Sequence, residues 1–337
     1  MLITSDRKFG IEIEFSCPDK MSLYRVSENV KLVDDGSIRH IPHSAEYVSE
    51  ILEGKSGERK LLDVCELLKK NRASGDNPCM SVHVHLDGKK REYSFGEANN
   101  IELTPKNPPF MIGVSSKLAR KLGKRNIRKI LLRESINFDL NLIVRTTFDS
   151  VTYYSLAELK SKPTRNFQYH WLIPLDRFVW LRNMFYFYTQ YSQVMEDMVS
   201  NSRKFGNMYC IPLHMSYELS DIESCGDMQE LKSVWYKGRE PEGHRDDSRY
   251  HNVNFHAYWD RHGTVEIRSH GGTIDPIKIL LWVKLHQKIA DKLENLNIED
   301  FKCTDNLHKS FIDFVEEPVL QAYVKRLLGF YSGINIK

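Results

Sequence analysis

The sequence lacks any apolar run long enough to span a lipid bilayer. Its longest apolar stretches, such as Ile279-Leu280-Leu281-Trp282-Val283, fall far short of the roughly 18 to 20 residues that a membrane helix needs. The segment Met1-Leu2-Ile3-Thr4-Ser5-Asp6 also lacks the apolar core of a signal peptide. We therefore expect a cytoplasmic protein with no membrane partner.

Paired cysteines are missing as well. The six cysteines are scattered and form no Cys-x-x-Cys pair, which argues against both a zinc ribbon and a disulfide framework. Motifs that mark a serine or cysteine nucleophile are also absent. Free, reduced thiols are the expected state of the cysteines, and any chemistry must come from other side chains.

The composition is that of a folded protein, but the charge is unevenly distributed. The 337 residues are 41% hydrophobic and 28% charged, with a net charge of +3. Residues 88–172 hold 16 Lys and Arg against 7 Asp and Glu, so this span carries +9 and the remainder −6. The basic span is either a solvated helical face or a surface for an anionic partner.

Hydrophobic periodicity predicts an α+β fold. Strands are expected at 10–15, 45–51, 80–86, 140–144 and 151–154. Helices are expected at 58–71, 116–133 and 176–200, and a further helix should start at Pro276, with an apolar stripe that begins at Ile277. Two late segments, 250–258 and 263–270, should form a hairpin.

Four of the alternating segments have an unusual polar face. Successive side chains of a strand point to opposite sides, so each segment divides into an apolar face and a polar face. Plain solvent exposure would give a mixture of Thr, Lys, Ser and Gln. The polar faces instead hold Glu12, Glu14, Ser81, His83, His85, Asn252, Asn254, His256, Thr264, Glu266 and Arg268.

These residue types favour a metal-dependent catalytic face. Glu12 and Glu14 occupy positions i and i+2 of one strand, and two such carboxylates repel each other unless a cation lies close to them. Mg²⁺ and Mn²⁺ favour oxygen ligands and tolerate an imidazole. Each motif alone is commonly a surface pair, but several on one sheet predict a shared site.

Seven short motifs, taken in order along the chain, resemble the amidoligase family. Its members are carboxylate–amine ligases related to glutamine synthetase and gamma-glutamylcysteine ligase, and the resemblance covers about 7–85 and 176–288. The motifs are GIEIEF at 10–15, DGS at 35–37, AEYVS at 45–49, HVH at 83–85, Arg203 followed by Tyr209-Cys210, Arg249-Tyr250 leading to Asn254, and TVEIR at 264–268.

The resemblance implies a glutamine-synthetase-like antiparallel active-site sheet, flanked by helices, that holds ATP and Mg²⁺ or Mn²⁺. The implied metal ligands are Glu12, Glu14, Glu46, His83 and Glu266. Arg268, Arg203 and Arg249 resemble catalytic contacts to phosphate or to a substrate carboxylate. The implied nucleotide or substrate neighbours are His85, Asn254 and Arg268.

The resemblance also implies a domain organisation. The family passes quickly from its His-x-His strand into the helix before the first of these arginines, whereas here about 85 residues intervene. We therefore predict one ligase domain over 1–337, with 88–172 as a basic insertion and 297–337 as a helical C-terminal extension.

The implied activity is amide formation from a small-molecule or macromolecular carboxylate and an amine, through an acyl phosphate made with ATP. Two alternatives stay open. A metal-dependent hydrolase or cupin-like enzyme would bind zinc or iron through His83 and His85. A nucleic-acid-binding protein, or a ligase that recruits an anionic partner, would use the basic span, including Lys121, Lys124, Arg125, Arg128 and Lys129. The sequence does not indicate an oligomeric state.

Overall fold

A computed structural model describes residue 5, residues 7–88 and residues 177–336 except 205, 261, 295 and 304. It also describes the backbone of seven short strands between residues 93 and 174. The chain divides into two compact units, of which the first comprises 1–90 and 177–337 and the second comprises 91–176. The domain organisation expected from the sequence stays a prediction.

The described strands are numbered in chain order. They are β1 (Phe9–Ser16), β2 (Leu32–Val33), β3 (Ser44–Val48), β4 (Ser81–Asp87), β5 (Tyr93–Gly96), β6 (Phe110–Ser115), β7 (Ile136–Asn137), β8 (Thr147–Phe148), β9 (Val151–Leu156), β10 (Glu158–Leu159), β11 (Trp171–Pro174), β12 (Val253–Asn254) and β13 (Thr264–Gly271).

The described α-helices all lie in the first unit. They are α1 (Lys20–Ser27), α2 (Gly54–Lys70), α3 (Phe178–Gln190), α4 (Ser192–Asp197), α5 (Leu219–Ser224), α6 (Met228–Tyr236), α7 (His256–Trp259), α8 (Pro276–Leu293), α9 (Leu307–Val315) and α10 (Pro318–Ser332). No helix in the described part of the chain is long and apolar enough to cross a bilayer.

The first unit is built on a six-stranded sheet in the order β12-β13-β4-β1-β3-β2. Every neighbouring pair in this sheet is antiparallel. Helix α8 packs against β4, and α2 packs against α8. The predicted α+β class is confirmed, while the glutamine-synthetase-like form of the sheet stays a prediction.

The second unit contains a five-stranded sheet in the order β5-β11-β6-β9-β8, and β10 pairs with β7. The strand predicted at 151–154 is β9. The helix predicted at 116–133, with all five basic residues named for it, and the strand-like run at 140–144 lie outside the described residues.

The alternation of β1 places its apolar side chains in the core. Ile11, Ile13 and Phe15 are at most 1% exposed and join a single apolar cluster with Val82 and Val84 of β4. Complete burial of such a side chain stabilises the fold by about 1.5–3 kcal/mol. This packing fixes which face of the sheet points away from the core, so the acidic residues of β1 share the opposite face.

The long aromatic helix predicted at 176–200 is two helices, and the prediction of one helix is wrong. Tyr191 has φ −94° and ψ 15° and separates α3 from α4. Before it, the Gln190 side chain donates to the carbonyl of Phe301 and accepts from the N–H of Cys303. These long-range contacts involve no glycine or proline, so the local sequence carries no signal of the break.

The predicted late hairpin is only partly correct. β13 is a full strand, but its expected partner at 250–258 forms just the two residues of β12 before α7 begins. The Asn254 side-chain oxygen accepts from the N–H of Ala257 at 3.3 Å, and this bond stabilises a helical turn instead of a continued strand. His256 therefore leaves the polar face and contacts the hydroxyl of Tyr236.

Helix α8 begins where the sequence predicted. Asp275 caps it by accepting from the N–H of Ile277 at 2.9 Å, and Pro276 occupies the first turn. Ile277 was assigned to the apolar stripe, but it is 57% exposed. The first turn extends past the apolar cluster, and the stripe instead begins with the buried Ile279 and Leu280.

Gly272 follows β13 at a point where two backbone segments meet. Its N–H donates to the carbonyl of Met80, immediately before β4, at 2.9 Å. A Cβ atom at residue 272 would overlap the carbonyl oxygen of Gly75 and would lie 2.7 Å from the Cβ of Met80. At Gly271 an added Cβ would meet only the Ser200 hydroxyl, at 3.3 Å.

We expect Gly272→Ala to destabilise the protein by about 1–3 kcal/mol, because the new methyl group would push apart two backbone segments. Gly271→Ala is the matched control, since the Ser200 hydroxyl can turn aside, and it should cost clearly less. Denaturant unfolding of both variants measures the difference. Equal stability of the two variants would contradict this account of the junction.

Candidate active site

The register of the sheet brings the polar residues of separate strands side by side. Glu14 of β1 lies opposite Glu46 of β3, and Glu12 lies opposite His83 of β4. On the next pair, His85 of β4 lies opposite Glu266 of β13. Directly opposed residues of neighbouring strands have Cβ atoms roughly 5 Å apart. The polar faces of four strands therefore form one continuous site.

Glu12 lies at the centre of this site, between the two histidines. One carboxylate oxygen is 2.8 Å from Nδ1 of His83, and the other is 3.1 Å from Nε2 of His85. Nδ1 of His83 is also 3.4 Å from Oε1 of Glu266. The carboxylate of Glu12 thus links the β4 histidines to the acid on β13.

Three groups of side chains could each hold a metal ion. Within each group, one ligand atom per residue lies within 4.8 Å of the others. The groups share members, because Glu12 belongs to two of them and Glu46 to two. The groups are Glu12, His85 and Glu266; Glu12, Glu46 and His83; and Glu14, Asp35 and Glu46.

Burial and neighbouring charges shift the pKa values of Glu46, His85 and Glu12. Burial, followed by the negative charges of Glu12 and Asp35, raises the pKa of Glu46 to about 9. Burial opposes the charged form of His85, yet the carboxylate of Glu12 outweighs it and raises the pKa of His85 to about 9. Burial also acts against ionisation of Glu12, but both histidines hold its pKa well below the usual range.

The donor set fits a divalent cation that prefers oxygen ligands. Without a cation, the site keeps a proton on Glu46 and a positive charge on His85 at neutral pH, as the pKa values above require. A metal ion supplies the same positive charge without those protons. Groups with two or three carboxylates and at most one imidazole suit Mg²⁺ or Mn²⁺.

Arg268 is the cation of this face that is best placed to meet an anion. It follows Glu266 on the same face of β13, and its Nη1 donates to Oε1 of that carboxylate. Its buried Nε atom makes no hydrogen bond within the described residues. The guanidinium is anchored by one acid while retaining donors for a phosphate or a carboxylate.

The other two predicted arginines have different surroundings. Arg203 is 5% exposed, and its Nη2 donates to the carbonyl of Met80. Burial lowers the pKa of Arg203, whereas the charge of Glu14 raises it, so this arginine lies next to the acidic face. Arg249 donates to the hydroxyl of Tyr250 and to the carbonyl of His244, and its guanidinium lies over the Tyr250 ring.

Asn254 and His85 were predicted to contact a nucleotide or substrate. The Asn254 amide donates to Oε2 of Glu266 at 2.7 Å, so it orients a carboxylate of the site. His85 bonds to Glu12 and, through Nδ1, to the hydroxyl of Thr264 at 3.2 Å. The structure thus places His85 within one of the metal-type groups.

Two residues of the site were not among those predicted from the sequence. Asp35 belongs to the third metal-type group, although only the Asp35-Gly36-Ser37 motif around it had been noted. It follows β2, whose Val33 pairs with Glu46. Ser81 begins the polar face of β4, two residues before His83, and bonds to Glu14. The alternation of β4 in the sequence predicts that Ser81 lies on the polar face. The position of Asp35 follows only from the pairing of β2 with β3.

Comparison with known proteins identifies a family. Residues 178–290 match the family model described as "Putative amidoligase enzyme". The resemblance to the amidoligase family is confirmed. This match supports a ligase-type enzyme that forms carbon–nitrogen bonds. It includes Arg203, Arg249 and Asn254, as well as the Glu266 and Arg268 pair. No curated protein and no solved structure matches the chain.

We expect Glu46→Gln to reduce the loss of stability that occurs as the pH rises in the absence of metal. The pKa of Glu46 is about 9 in the folded protein, against 4.5 ordinarily. The unfolded chain therefore loses this proton first, and the folded state loses stability between those two values. By pH 9 the variant should gain more than about 1.4 kcal/mol relative to unmodified protein, the equivalent of one pKa unit.

Denaturant unfolding in a chelator between pH 5 and pH 9 measures this effect. Glu66→Gln, on the exposed side of α2, is the control and should follow the unmodified protein. Parallel stability profiles for Glu46→Gln and the unmodified protein would refute a raised pKa at Glu46.

Proposed function

We propose that the protein is an ATP-dependent carboxylate–amine ligase. The observation that carries the proposal is the row of carboxylates and histidines across four strands, with Arg268 beside Glu266. The amidoligase match supplies the class of reaction. In this proposal the acid is a small-molecule or macromolecular carboxylate, and the second substrate is an amine.

The proposed reaction has two steps. A carboxylate oxygen of the acid attacks the γ-phosphorus of ATP, the bond to the ADP oxygen breaks, and an acyl phosphate forms. The amine nitrogen then attacks the acyl carbon, the bond to the phosphate oxygen breaks, and the amide and phosphate leave as the amine loses a proton. Phosphoryl transfer requires mainly positioning and charge neutralisation.

The residues of the polar face suit these requirements. Bound Mg²⁺ or Mn²⁺ ions would neutralise phosphate charge. Glu12, Glu14, Glu46, His83 and Glu266 would hold these ions in the separate groups described above, with Glu12 and Glu14 on different ions and with His85 and Asp35 as further candidates. Arg268 would contact the transferred phosphate or the acid, because its fork of N–H donors matches both. Arg203 would act beside it, because its buried Nε makes no hydrogen bond within the described residues.

A protein nucleophile is not needed, and Cys210, beside Arg268, is poorly suited to the role. Cys210 is fully buried, and its thiol lies 3.9 Å from the carbonyl of Arg268. Burial raises the pKa of Cys210 to about 11. The thiolate is the reactive form of cysteine, so this side chain stays inert near neutral pH.

The alternative metallohydrolase or cupin-like site is less well supported. Such sites hold zinc or iron with two or three histidines on one ion. In the described part of the chain, each metal-type group contains at most one histidine, with His83 and His85 in separate groups. This division favours oxygen-liganded ions and hence the ligase.

The basic span, 88–172, belongs to the same proposal as a surface that recruits an anionic substrate or partner. Its net charge of +9 carries this part of the proposal. A nucleic-acid-binding protein without enzymatic activity would leave the acidic face without a purpose. For that reason we propose the ligase.

We expect Arg268→Lys and Glu266→Gln each to lower amine-dependent phosphate release from ATP by about 10²–10³-fold, because each removes a preorganised charged contact. Amino acids and polyamines would be screened as substrates, with mass spectrometry of the product. ADP, rather than AMP, should accompany the phosphate.

Glu66→Gln serves again as the control and should retain full activity. Full activity of Glu266→Gln would refute the assigned site. AMP as the by-product would refute the acyl-phosphate route, and stoichiometric zinc or iron in purified protein, with no stabilisation by ATP and Mg²⁺, would favour the metallohydrolase instead.

A further inference from the structure

Ser81 lies between two residues of the candidate site, Glu14 and His83. Its hydroxyl oxygen is 2.8 Å from Oε2 of Glu14 and 2.8 Å from Nε2 of His83. Its backbone N–H donates to the same oxygen of Glu14 at 2.6 Å. Ser81 is only 2% exposed, so water does not compete freely for these contacts.

The number of hydrogen atoms on these groups determines which group donates in each hydrogen bond. A serine hydroxyl donates one hydrogen, and a carboxylate oxygen only accepts. Oε2 of Glu14 already accepts from the backbone N–H of Ser81. The Ser81 hydroxyl therefore donates to Glu14, and its oxygen must accept from His83. Nε2 of His83 thus carries a hydrogen.

The other ring nitrogen of His83 is then the one that a cation could bind. Nδ1 lies 2.8 Å from Oε2 of Glu12 and 3.4 Å from Oε1 of Glu266. Without a metal ion this nitrogen donates a hydrogen to Glu12, since a carboxylate oxygen only accepts. A divalent cation that takes the place of this hydrogen would gain Nδ1 as a nitrogen ligand beside Glu12 and Glu46, the other members of the His83 group.

We infer that Ser81 is a positioning residue that holds His83 as the Nε2–H tautomer and so makes Nδ1 the ligand atom for a divalent cation. Outer contacts of this kind set the tautomer and orientation of histidine ligands in metal sites generally. The inference rests on the cation site of the proposed function, but it does not depend on the identity of the acid or the amine.

Binding of Mn²⁺ alone, followed by electron paramagnetic resonance without ATP or substrates, tests this inference. Ser81→Ala should weaken Mn²⁺ binding by about 10–100-fold, the usual effect of losing an outer contact to a metal ligand. Ser81→Thr keeps the hydroxyl and should bind nearly as well as the unmodified protein. Ser44→Ala is the control, because the contact that the Ser44 hydroxyl makes within the described residues is with the Ile38 carbonyl, away from the metal-type groups.

A double-mutant cycle separates the tautomer effect from simple loss of structure. In a His83→Asn background no ring tautomer remains to be selected, so Ser81→Ala should change Mn²⁺ affinity by less than about twofold. An equal loss in both backgrounds, or no loss in either, would overturn the inference. Melting of each metal-free variant establishes that it is folded.

The outcomes also separate this inference from the proposed reaction. If the unmodified protein binds no Mn²⁺, the inference and the cation site both fail. If Mn²⁺ binding shows the expected coupling while no amine supports phosphate release, only the ligase proposal fails.

Discussion

Mutual repulsion among buried carboxylates is the constraint around which this site is organised. Glu12, Glu14, Glu46 and Glu266 share one face of the sheet, where three of them are buried and Glu12 is 24% exposed, so that their charges are poorly screened. The fold cannot separate them, because the same alternation that buries Ile11 and Ile13 directs the acids of β1 to this face. Positive charge must therefore come to the site. In the chain alone it comes from His85, Arg268 and a proton on Glu46.

This constraint explains why the neighbours of the carboxylates are so uniformly hydrogen-bond donors. Asn254 donates to Glu266, Ser81 donates twice to Glu14, and Arg268 donates to Glu266. Each contact offsets part of the cost of burying a charged acid, and each also fixes the direction of a carboxylate oxygen. The hydrogen bonds that stabilise these carboxylates without a metal ion are thus the same ones that would orient them toward a bound metal ion.

Much of the site could be predicted from the sequence because strand alternation is a local property. The period of two in GIEIEF, SVHVHL and TVEIR assigns each side chain to a face without knowledge of the partner strand. The register between strands depends on the partner strand. The competition between side-chain and backbone hydrogen bonds depends on contacts that the alternation does not reveal. Asp35 joins the site only because β2 pairs with β3 beside Glu46, and His256 leaves it only because the Asn254 side chain starts a helical turn. The break at Tyr191 is likewise set by contacts more than a hundred residues away in sequence.

The backbone around Met80 links the rigidity of the sheet to the placement of its arginine. The Met80 carbonyl accepts both from the N–H of Gly272 and from the guanidinium of Arg203. The Met80 carbonyl therefore connects the end of β13 and the start of β4 with Arg203, which was predicted only from its sequence motif. Because Ser81 is the next residue, the same junction also positions the hydroxyl between Glu14 and His83. Sites held by strand backbones in this way keep their geometry better than sites built on loops, so the charge arrangement is set before any ligand arrives.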